Sequence, residues 1–159
     1  MNFFQIHPSK LKGSISIPPS KSHTLRAIFL ALLGTGTSRI YHYLSSPDTD
    51  AMIKAVIQLG ASVEIFQDCL EIKGRGCNLL PAEDVIDAGN SGQVLRFIGA
   101  VAALLPTYTI ITGDESIRKQ RPVLPLLEGL RQLGAFAESS KQDGLAPILV
   151  RGRIEPGNR

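Results

Sequence analysis

This sequence has few cysteines, few aromatic residues and a low net charge. The two cysteines, Cys69 and Cys77, lie eight residues apart without a CxxC spacing or paired histidines. That pattern predicts two free thiols rather than a zinc site. Tryptophan is absent, aromatic residues make up 6% of the 159 residues, and the net charge is only +3. These values argue against a nucleic-acid-binding protein, which usually carries a concentrated basic face.

A leader, a membrane span and several familiar catalytic motifs are missing as well. Residues 1–8 have no cationic segment followed by a long apolar run, and no apolar run elsewhere is long enough to cross a bilayer. We therefore expect a cytoplasmic protein, in keeping with free thiols. The P-loop glycine pattern and the G-x-S-x-G turn are both absent, which excludes those two enzyme classes. Hydrophobic residues nevertheless make up 43% of the chain, enough for the core of one domain.

The first stretch that carries chemistry reads Pro-Pro-Ser-Lys-Ser-His-Thr-Leu-Arg and ends at Arg26. An alternating run predicts a strand over 13–18 before it, and an apolar run predicts a helix over 22–33. Lys21 and Ser22 therefore lie at a helix start, where unpaired N–H groups and the helix dipole favour an anion. Arg26 follows Ser22 by four residues and shares its helix face. A phosphate or carboxylate site is one interpretation, and a capped helix with two solvated cations is the other.

The predicted elements occur twice in the same order. The first set is a strand at 13–18, a helix at 22–33, a strand at 38–44, a helix at 47–59, and a hairpin of strands at 62–66 and 69–73. The second set is a strand at 84–87, a helix to about 105, a strand at 107–112, a charged loop at 113–121, a helix at 122–133, and strands at 135–139 and 147–151. Short sequences recur as well, because Gln58-Leu59-Gly60-Ala61 returns as Gln132-Leu133-Gly134-Ala135 and Lys73-Gly74-Arg75 as Arg151-Gly152-Arg153. The recurrence indicates two repeated βαβαββ units of an α/β fold.

The second unit has its own helix start after a glycine-rich turn. A Gly-Asn-Ser-Gly run from Gly89 ends at Gly92, and Arg96 follows four residues later, as Arg26 follows Ser22. Glycine allows the tight turn and a close approach of a ligand to the N–H groups. The run therefore fits a second anion site facing the same cleft, and it also fits a tight turn with no ligand.

A third cationic stretch, Arg-Lys-Gln-Arg-Pro, begins at Arg118 and precedes the last predicted helix. Pro122 suits the first helical position, which would hold Arg121 just ahead of an N-terminus. Arginine there can take a carboxylate or a phosphate through two parallel hydrogen bonds. A solvated loop is the alternative.

Histidines and acidic pairs give no catalytic constellation. The three histidines show no ligand spacing, and His23 fits a helix-surface residue better than a general base. The pairs Asp48/Asp50 and Asp114/Glu115 are typical of acids that cap helices.

Taken in order, the motifs Pro-x-Ser-Lys-Ser-x-x-x-Arg, Gly-Asn-Ser-Gly-x-x-x-Arg and Arg-Lys-x-Arg-Pro resemble those of the 5-enolpyruvylshikimate-3-phosphate synthase family, the 3-phosphoshikimate 1-carboxyvinyltransferases. The resemblance runs over the whole chain. It implies an inside-out α/β barrel of repeated βαβαββ units, here about two units of one domain. It also implies transfer of enolpyruvyl from phosphoenolpyruvate to the 5-hydroxyl of shikimate 3-phosphate, a step of the shikimate pathway that releases phosphate through a tetrahedral adduct. No metal or organic cofactor is implied.

The resemblance also assigns roles to residues. Lys21 would contact both substrates and act electrostatically as the one catalytic residue of this chain. Ser22 and Arg26 would hold shikimate 3-phosphate, whereas Gly92 and Arg121 would bind phosphoenolpyruvate. The implied substrate-binding set is completed by Asn90, Gln93 and Arg96, of which Asn90 and Arg96 support the second helix start.

Some residues depart from the family. Many members have threonine where this chain has Gln93 and proline where it has Phe97. These changes bear on the affinity for phosphoenolpyruvate and on tolerance of glyphosate, the inhibitor of the family. Gln120 is an extra residue before Arg121, which leaves the role of Arg118 open.

Family members are more than twice as long as this chain, with two domains of three units each. We therefore expect an N-terminal portion that lacks the proton-transfer acids of the family, is inactive alone and binds anions weakly. The expected divisions are lead-in strands at 1–19 that can belong to a discontinuous second domain, a first unit at 20–78, a second unit at 79–153, and the start of a third unit at 154–159.

Two other functions fit part of the pattern. UDP-N-acetylglucosamine enolpyruvyl transferases share the repeats but typically carry Lys-Asn where Lys21 and Ser22 stand. A non-catalytic RNA-binding module of βαβ units would need more stacking aromatics beside cations. We expect phosphoenolpyruvate and shikimate 3-phosphate as the partners, with no nucleic acid, no membrane and a monomeric full-length protein.

Overall fold

The helices and strands follow one another in nearly the predicted order. The structure is a computed structural model that describes residues 3–10 and 12–152, so the predicted start of a third unit lies outside the described residues. The helices are α1 Lys21–Leu33, α2 Pro47–Gln58, α3 Gly92–Ala102, α4 Glu115–Gln120 and α5 Leu124–Gln132. The strands are β1 Thr37–Tyr41, β2 Ser62–Ile65, β3 Cys69–Lys73, β4 Ile86–Asp87, β5 Thr109–Thr112, β6 Phe136–Ser139 and β7 Ile148–Arg151.

The first three helices each begin at a serine. The Oγ atoms of Ser20, Ser46 and Ser91 accept a backbone N–H from the residue three positions along, each at 3.3 Å. Such a cap satisfies one of the N–H groups that the helix leaves without a partner, and its loss typically costs about 1 kcal/mol. The caps therefore fix the helix starts on which the site is built.

The strands form two sheets with the same internal arrangement. The first sheet has the antiparallel order β1-β3-β2, and the second contains the matching order β5-β7-β6. The second sheet also has β4, which pairs in parallel with β5 through Ile86 and Ile111. The second unit therefore has the βαβαββ order with the short helix α4 added before α5, and the described part of the first unit repeats this order without an equivalent of β4.

The strand predicted over 13–18 is wrong. These residues have no regular secondary structure, and Ile15 and Ile17 are 88% and 80% exposed. Alternating apolar residues favour an extended chain, but a strand also needs an edge to which it can bond. Among the described residues, no strand pairs with this segment.

The charged loop predicted over 113–121 is also wrong, because it contains α4. Asp114 caps this helix, Glu115 lies in its first turn, and basic residues lie in its last turn. This charge order suits the helix dipole. The following helix begins at Leu124 rather than at Pro122, and Pro125 is the proline in its first turn.

Both units contribute to one hydrophobic core. The helices α1, α2 and α3 pack against one another, and their inward side chains, such as Leu25, Ile28, Met52, Leu95 and Ile98, are fully buried. Burying a side chain of this size contributes about 1.5–3 kcal/mol. The apolar packing therefore fixes how α1 of the first unit lies relative to α3 of the second.

The segment after β3 lies against the C-terminal end of α1. Gly74 N–H donates to the Gly36 carbonyl at 3.0 Å, and Arg75 N–H donates to the Leu32 carbonyl at 2.8 Å. A Cβ on Gly74 would overlap two carbonyl oxygens at the end of α1. Glycine is required here because the two backbones approach so closely.

We expect Gly74→Ala to lower the free energy of unfolding by about 1–3 kcal/mol or more, because backbone carbonyls cannot move aside as a flexible side chain can. Urea denaturation followed by circular dichroism measures this change. Gly129→Ala is the matched control, since the added Cβ would meet no atom within 4 Å beyond its chain neighbours and the backbone of α5 itself, and alanine should gain about 0.5–1 kcal/mol there. Equal stabilities of the two variants would contradict the described packing.

Candidate anion-binding site

The first turn of α1 concentrates positive charge. Lys21 is its first residue, an unfavourable place for a cation because the dipole is positive at that end. Arg26 folds back one turn, and its Nη1 donates to the Ser22 carbonyl at 3.0 Å and to Ser22 Oγ. The first turn contains no acidic residue. An anion would relieve this local excess of positive charge and accept the N–H groups of the helix start.

The first turn of α3 repeats the arrangement. Arg96 Nη1 donates to the Gly92 carbonyl at 2.8 Å, as Arg26 does to Ser22. A Cβ on Gly92 would lie 2.7 Å from Arg96 Nη1, so the glycine leaves room for the arginine to fold back. The recurrence in sequence is therefore also a recurrence of contacts.

The two helix starts open onto one cleft of about 270 Å³. Seven of the eight predicted site residues line it: Lys21, Arg26, Asn90, Gly92, Gln93, Arg96 and Arg121. The eighth, Ser22, accepts hydrogen bonds from Arg26 and from Gln93. The structure brings the predicted residues together, and the substrate roles that the resemblance assigns to them stay predictions.

Arg121 reaches the cleft from the segment between α4 and α5. Asn90 Nδ2 donates to Asp114 Oδ2 at 2.6 Å, which ties the Gly-Asn-Ser-Gly turn to the cap of α4. On the other side of Arg121, Arg96 Nη2 donates to the Pro122 carbonyl at 2.8 Å. Asn90 and Arg96 thus hold the segment that presents Arg121.

Asp48 lies in the cleft although the sequence indicated only a capping role. It occupies the first turn of α2, and its Oδ2 accepts from Lys21 Nζ at 3.0 Å. Ser91 and Phe97 also line the cleft without having been predicted. Lys21 and Asp48 are 27 residues apart in the sequence. Their pairing is therefore visible only in the tertiary structure, where α2 packs between the other two helix starts.

The electrostatic surroundings of Asp48 keep it ionised. Its burial acts to raise the pKa of the carboxyl group, but the Ser91 hydroxyl, the Lys21 ammonium group and the charge of Arg121 outweigh this effect. The pKa of Asp48 therefore lies below its ordinary value of 3.8. At neutral pH the carboxylate holds Lys21 in place between the two units.

Other candidate groups lie outside the cleft. Arg118 and Lys119 do not line it, and Lys119 Nζ pairs with Glu115 at 2.6 Å. His23 is exposed on α1, in keeping with a helix-surface role. Over residues 3–10 and 12–152, no cluster of three or more histidine, cysteine or acidic side chains could hold a metal ion. The same residues form no helix that could span a membrane.

The cleft is suited to binding two anionic groups side by side. Four basic side chains line it, contributed by Lys21, Arg26, Arg96 and Arg121, against the single carboxylate of Asp48. Arginine offers planar, paired donors that match a carboxylate or phosphate, and the two helix starts add N–H groups. This convergence favours the anion-site interpretation over separate solvated cations.

We expect Asp48→Asn to lower the free energy of unfolding by about 0.2–1 kcal/mol at neutral pH, the range for partly exposed ion pairs. The pKa of Asp48 is lower in the folded than in the unfolded state. The stabilisation is therefore present at pH values above the unfolded pKa, ordinarily 3.8, and is lost as the pH falls through the lower folded pKa. Urea denaturation over a pH series should show wild type and variant converging in acid. Asp50→Asn, an exposed neighbour in the same turn, is the control, and a pH-independent gap for Asp48→Asn would contradict the pairing.

Comparison with known proteins agrees with the motifs. The sequence model of the EPSP synthase (3-phosphoshikimate 1-carboxyvinyltransferase) family matches residues 6–159. Curated 3-phosphoshikimate 1-carboxyvinyltransferases of Chlamydia felis and Methanothermobacter thermautotrophicus are 48% and 44% identical to this chain over 97% and 93% of its length. The chain spans 34% and 35% of the lengths of those two relatives.

A solved structure gives the same result for the fold. EPSP synthase from Acinetobacter baumannii superposes with a TM-score of 0.82 and 27% identity, over 88% of this chain and 32% of that one. The predicted fold class is therefore confirmed. By sequence and by structure, this chain belongs to the EPSP synthase family.

Proposed function

We propose that this chain is part of an enzyme that transfers the enolpyruvyl group of phosphoenolpyruvate to the 5-hydroxyl of shikimate 3-phosphate and releases phosphate. Membership of the family supports the reaction, and the chemistry of the cleft supports the substrates. The chain spans about a third of the length of its curated relatives, so the activity is proposed for the whole protein. For this chain alone we propose weak binding without turnover.

The observation that carries the proposal is the approach of cations from the two units to one cleft. Lys21 and Arg26 come from the start of α1, whereas Arg121 comes from the segment after α4. Each substrate carries a phosphate and a carboxylate group. A site for both must therefore hold several negative charges close together, and this cleft offers several positive charges in that arrangement.

Each of the two helix starts would bind one of the two substrates. Ser22 and Arg26 would hold shikimate 3-phosphate at the start of α1, and Gly92 and Arg121 would hold phosphoenolpyruvate at the start of α3. Lys21 would contact both. Holding two reactants in a fixed relative orientation can lower a barrier substantially, and fixed positive charge stabilises negative charge that develops during the reaction.

Asp48 has a supporting role in this scheme. Its carboxylate pairs with Lys21 and also lies within the electrostatic influence of Arg121. It would orient the ammonium group before substrates arrive and reduce the repulsion between neighbouring cations. We further propose that the whole protein is a cytoplasmic monomer that acts on small molecules.

Binding is tested by following the amide resonances of the labelled chain while shikimate 3-phosphate or phosphoenolpyruvate is added. Shikimate 3-phosphate should move Lys21, Ser22 and Arg26, and phosphoenolpyruvate should move Gly92 and Arg121. If all of these resonances stay in place at millimolar ligand, the site assignment is wrong.

Lys21→Ala should weaken both ligands about tenfold or more, because hydrogen bonds to charged groups contribute about 1.5–3 kcal/mol. Lys54→Ala is the matched control, since it removes the same charge from the exposed face of α2 outside the cleft. Its affinities should remain within about twofold of wild type, since distant surface charges are largely screened. A similar loss in both variants would show that net charge, not the site, governs binding.

In the whole enzyme, Lys21→Ala should lower the rate of phosphate release by about 10²–10³-fold, the usual cost of removing one group that stabilises developing charge. Steady-state assays with both substrates measure this loss. A decrease of only a few-fold would exclude an electrostatic role for Lys21 in the chemical step.

A further inference from the structure

Two side chains of α3 contact the anion-binding residues of α1 across the boundary between the units. Gln93 Nε2 donates to Ser22 Oγ at 2.9 Å. One turn further along α3, the ring of Phe97 lies under the guanidinium of Arg26, with 5.7 Å between Arg26 Cζ and the ring centroid. Gln93 and Phe97 also line the cleft. The second unit is therefore in direct contact with both Ser22 and Arg26 of the first.

The contact from Gln93 determines how Ser22 can bond. A serine hydroxyl has one donor hydrogen and two acceptor lone pairs. Arg26 Nη1 and Gln93 Nε2 both donate to Ser22 Oγ, so both acceptor positions are used. The hydroxyl hydrogen remains for a third partner that accepts, and an anionic ligand is such a partner.

The contact from Phe97 determines where Arg26 can lie. The ring is half-buried and packs against Phe29 of α1, with 5.1 Å between the ring centroids. A cation is attracted to an aromatic face within about 6 Å of its centroid. Arg26 is exposed and is bonded to Ser22 through Nη1, so the packed ring adds a second contact that limits the orientation of the guanidinium.

We propose that Gln93 and Phe97 are positioning residues, which orient Ser22 and Arg26 for the anionic acceptor substrate. The inference rests on the proposed function for the identity of that substrate, shikimate 3-phosphate. On this proposal, side chains of the second unit set the geometry of the binding site in the first unit. Phosphoenolpyruvate, held at Gly92 and Arg121, should depend much less on this pair.

The direct test needs no ligand. In the free chain, the Arg26 Nε–H resonance of wild type should be shifted by the ring current and show an ordered side chain by its heteronuclear NOE. Phe97→Leu should lose the ring-current shift and show a less ordered Arg26 side chain, whereas Phe97→Tyr keeps the aromatic face and should retain both signatures. Phe136→Leu is the matched control, because it removes a ring from a second aromatic pair, in which 5.5 Å separates the ring centroids of Phe136 and Tyr108, and neither residue lines the cleft.

Affinities measured with the same variants provide the second test. Phe97→Leu should weaken shikimate 3-phosphate about two- to fivefold, and Gln93→Met should weaken it about two- to tenfold. Phosphoenolpyruvate should lose clearly less affinity than shikimate 3-phosphate in each variant. Parallel losses for both ligands, together with lower stability in urea, would indicate a merely structural role and overturn the proposal.

The two hypotheses fail in distinguishable ways. If Arg26 is as ordered in Phe97→Leu as in wild type, the positioning proposal is overturned, even when shikimate 3-phosphate binds as expected. If Arg26 depends on the ring but wild type binds neither substrate, the proposed function fails and the positioning of Arg26 by Phe97 stands.

Discussion

The packing of α1, α2 and α3 around one buried core is the constraint on which the site depends. The three helices direct their starts toward the same cleft, and two of those starts carry positive charge that would otherwise keep them apart. Fully buried side chains such as Leu25, Met52 and Leu95 hold the helices together. Because each contributes about 1.5–3 kcal/mol, apolar burial outweighs the repulsion between partly exposed cations, which amounts to a fraction of that.

The remaining repulsion is moderated locally. Lys21 stands where the helix dipole disfavours a cation by about 0.3–1 kcal/mol, but it pairs with Asp48, which suits the start of its own helix. One carboxylate therefore lies between cations supplied by two units. Departures from local preference of this kind are expected at functional sites. An incoming anion would complete an arrangement in which Asp48 balances only part of the positive charge.

Much of this could be predicted from the sequence because the informative signals are local. The apolar runs and the glycine-rich turn locate α1 and α3, and the matching spacing to Arg26 and Arg96 reveals the repeat. The strand expected at 13–18 does not form, because its formation is not a local matter. Alternating apolar residues indicate that a segment prefers an extended conformation, but they do not show that a neighbouring strand edge is available for pairing. The helix α4 was missed although its capping acid and charge order were visible, because its cations were interpreted as loop residues.

The contacts that complete the site could not be read from the sequence. The capping role expected for Asp48 is wrong, because Ser46 caps α2 and Asp48 lies in the first turn. The pairing of Asp48 with Lys21 depends on tertiary packing. The same holds for the bond from Gln93 to Ser22, which joins residues 71 positions apart. Residue types and helix periodicity placed the cations on the right helix ends. Only the crossing of the helices decided which side chains meet.

The convergence of two cationic helix starts on one anion site can be measured directly with a heavy anion. Crystals of the chain grown without sulfate or phosphate would be soaked in selenate, and anomalous scattering would be recorded at the selenium edge. We expect an anomalous peak in the cleft between the starts of α1 and α3, within hydrogen-bond distance of Lys21 or Arg121. Selenate bound only at other surfaces, with the cleft empty at a concentration that fills them, would contradict the convergence on which the site is built.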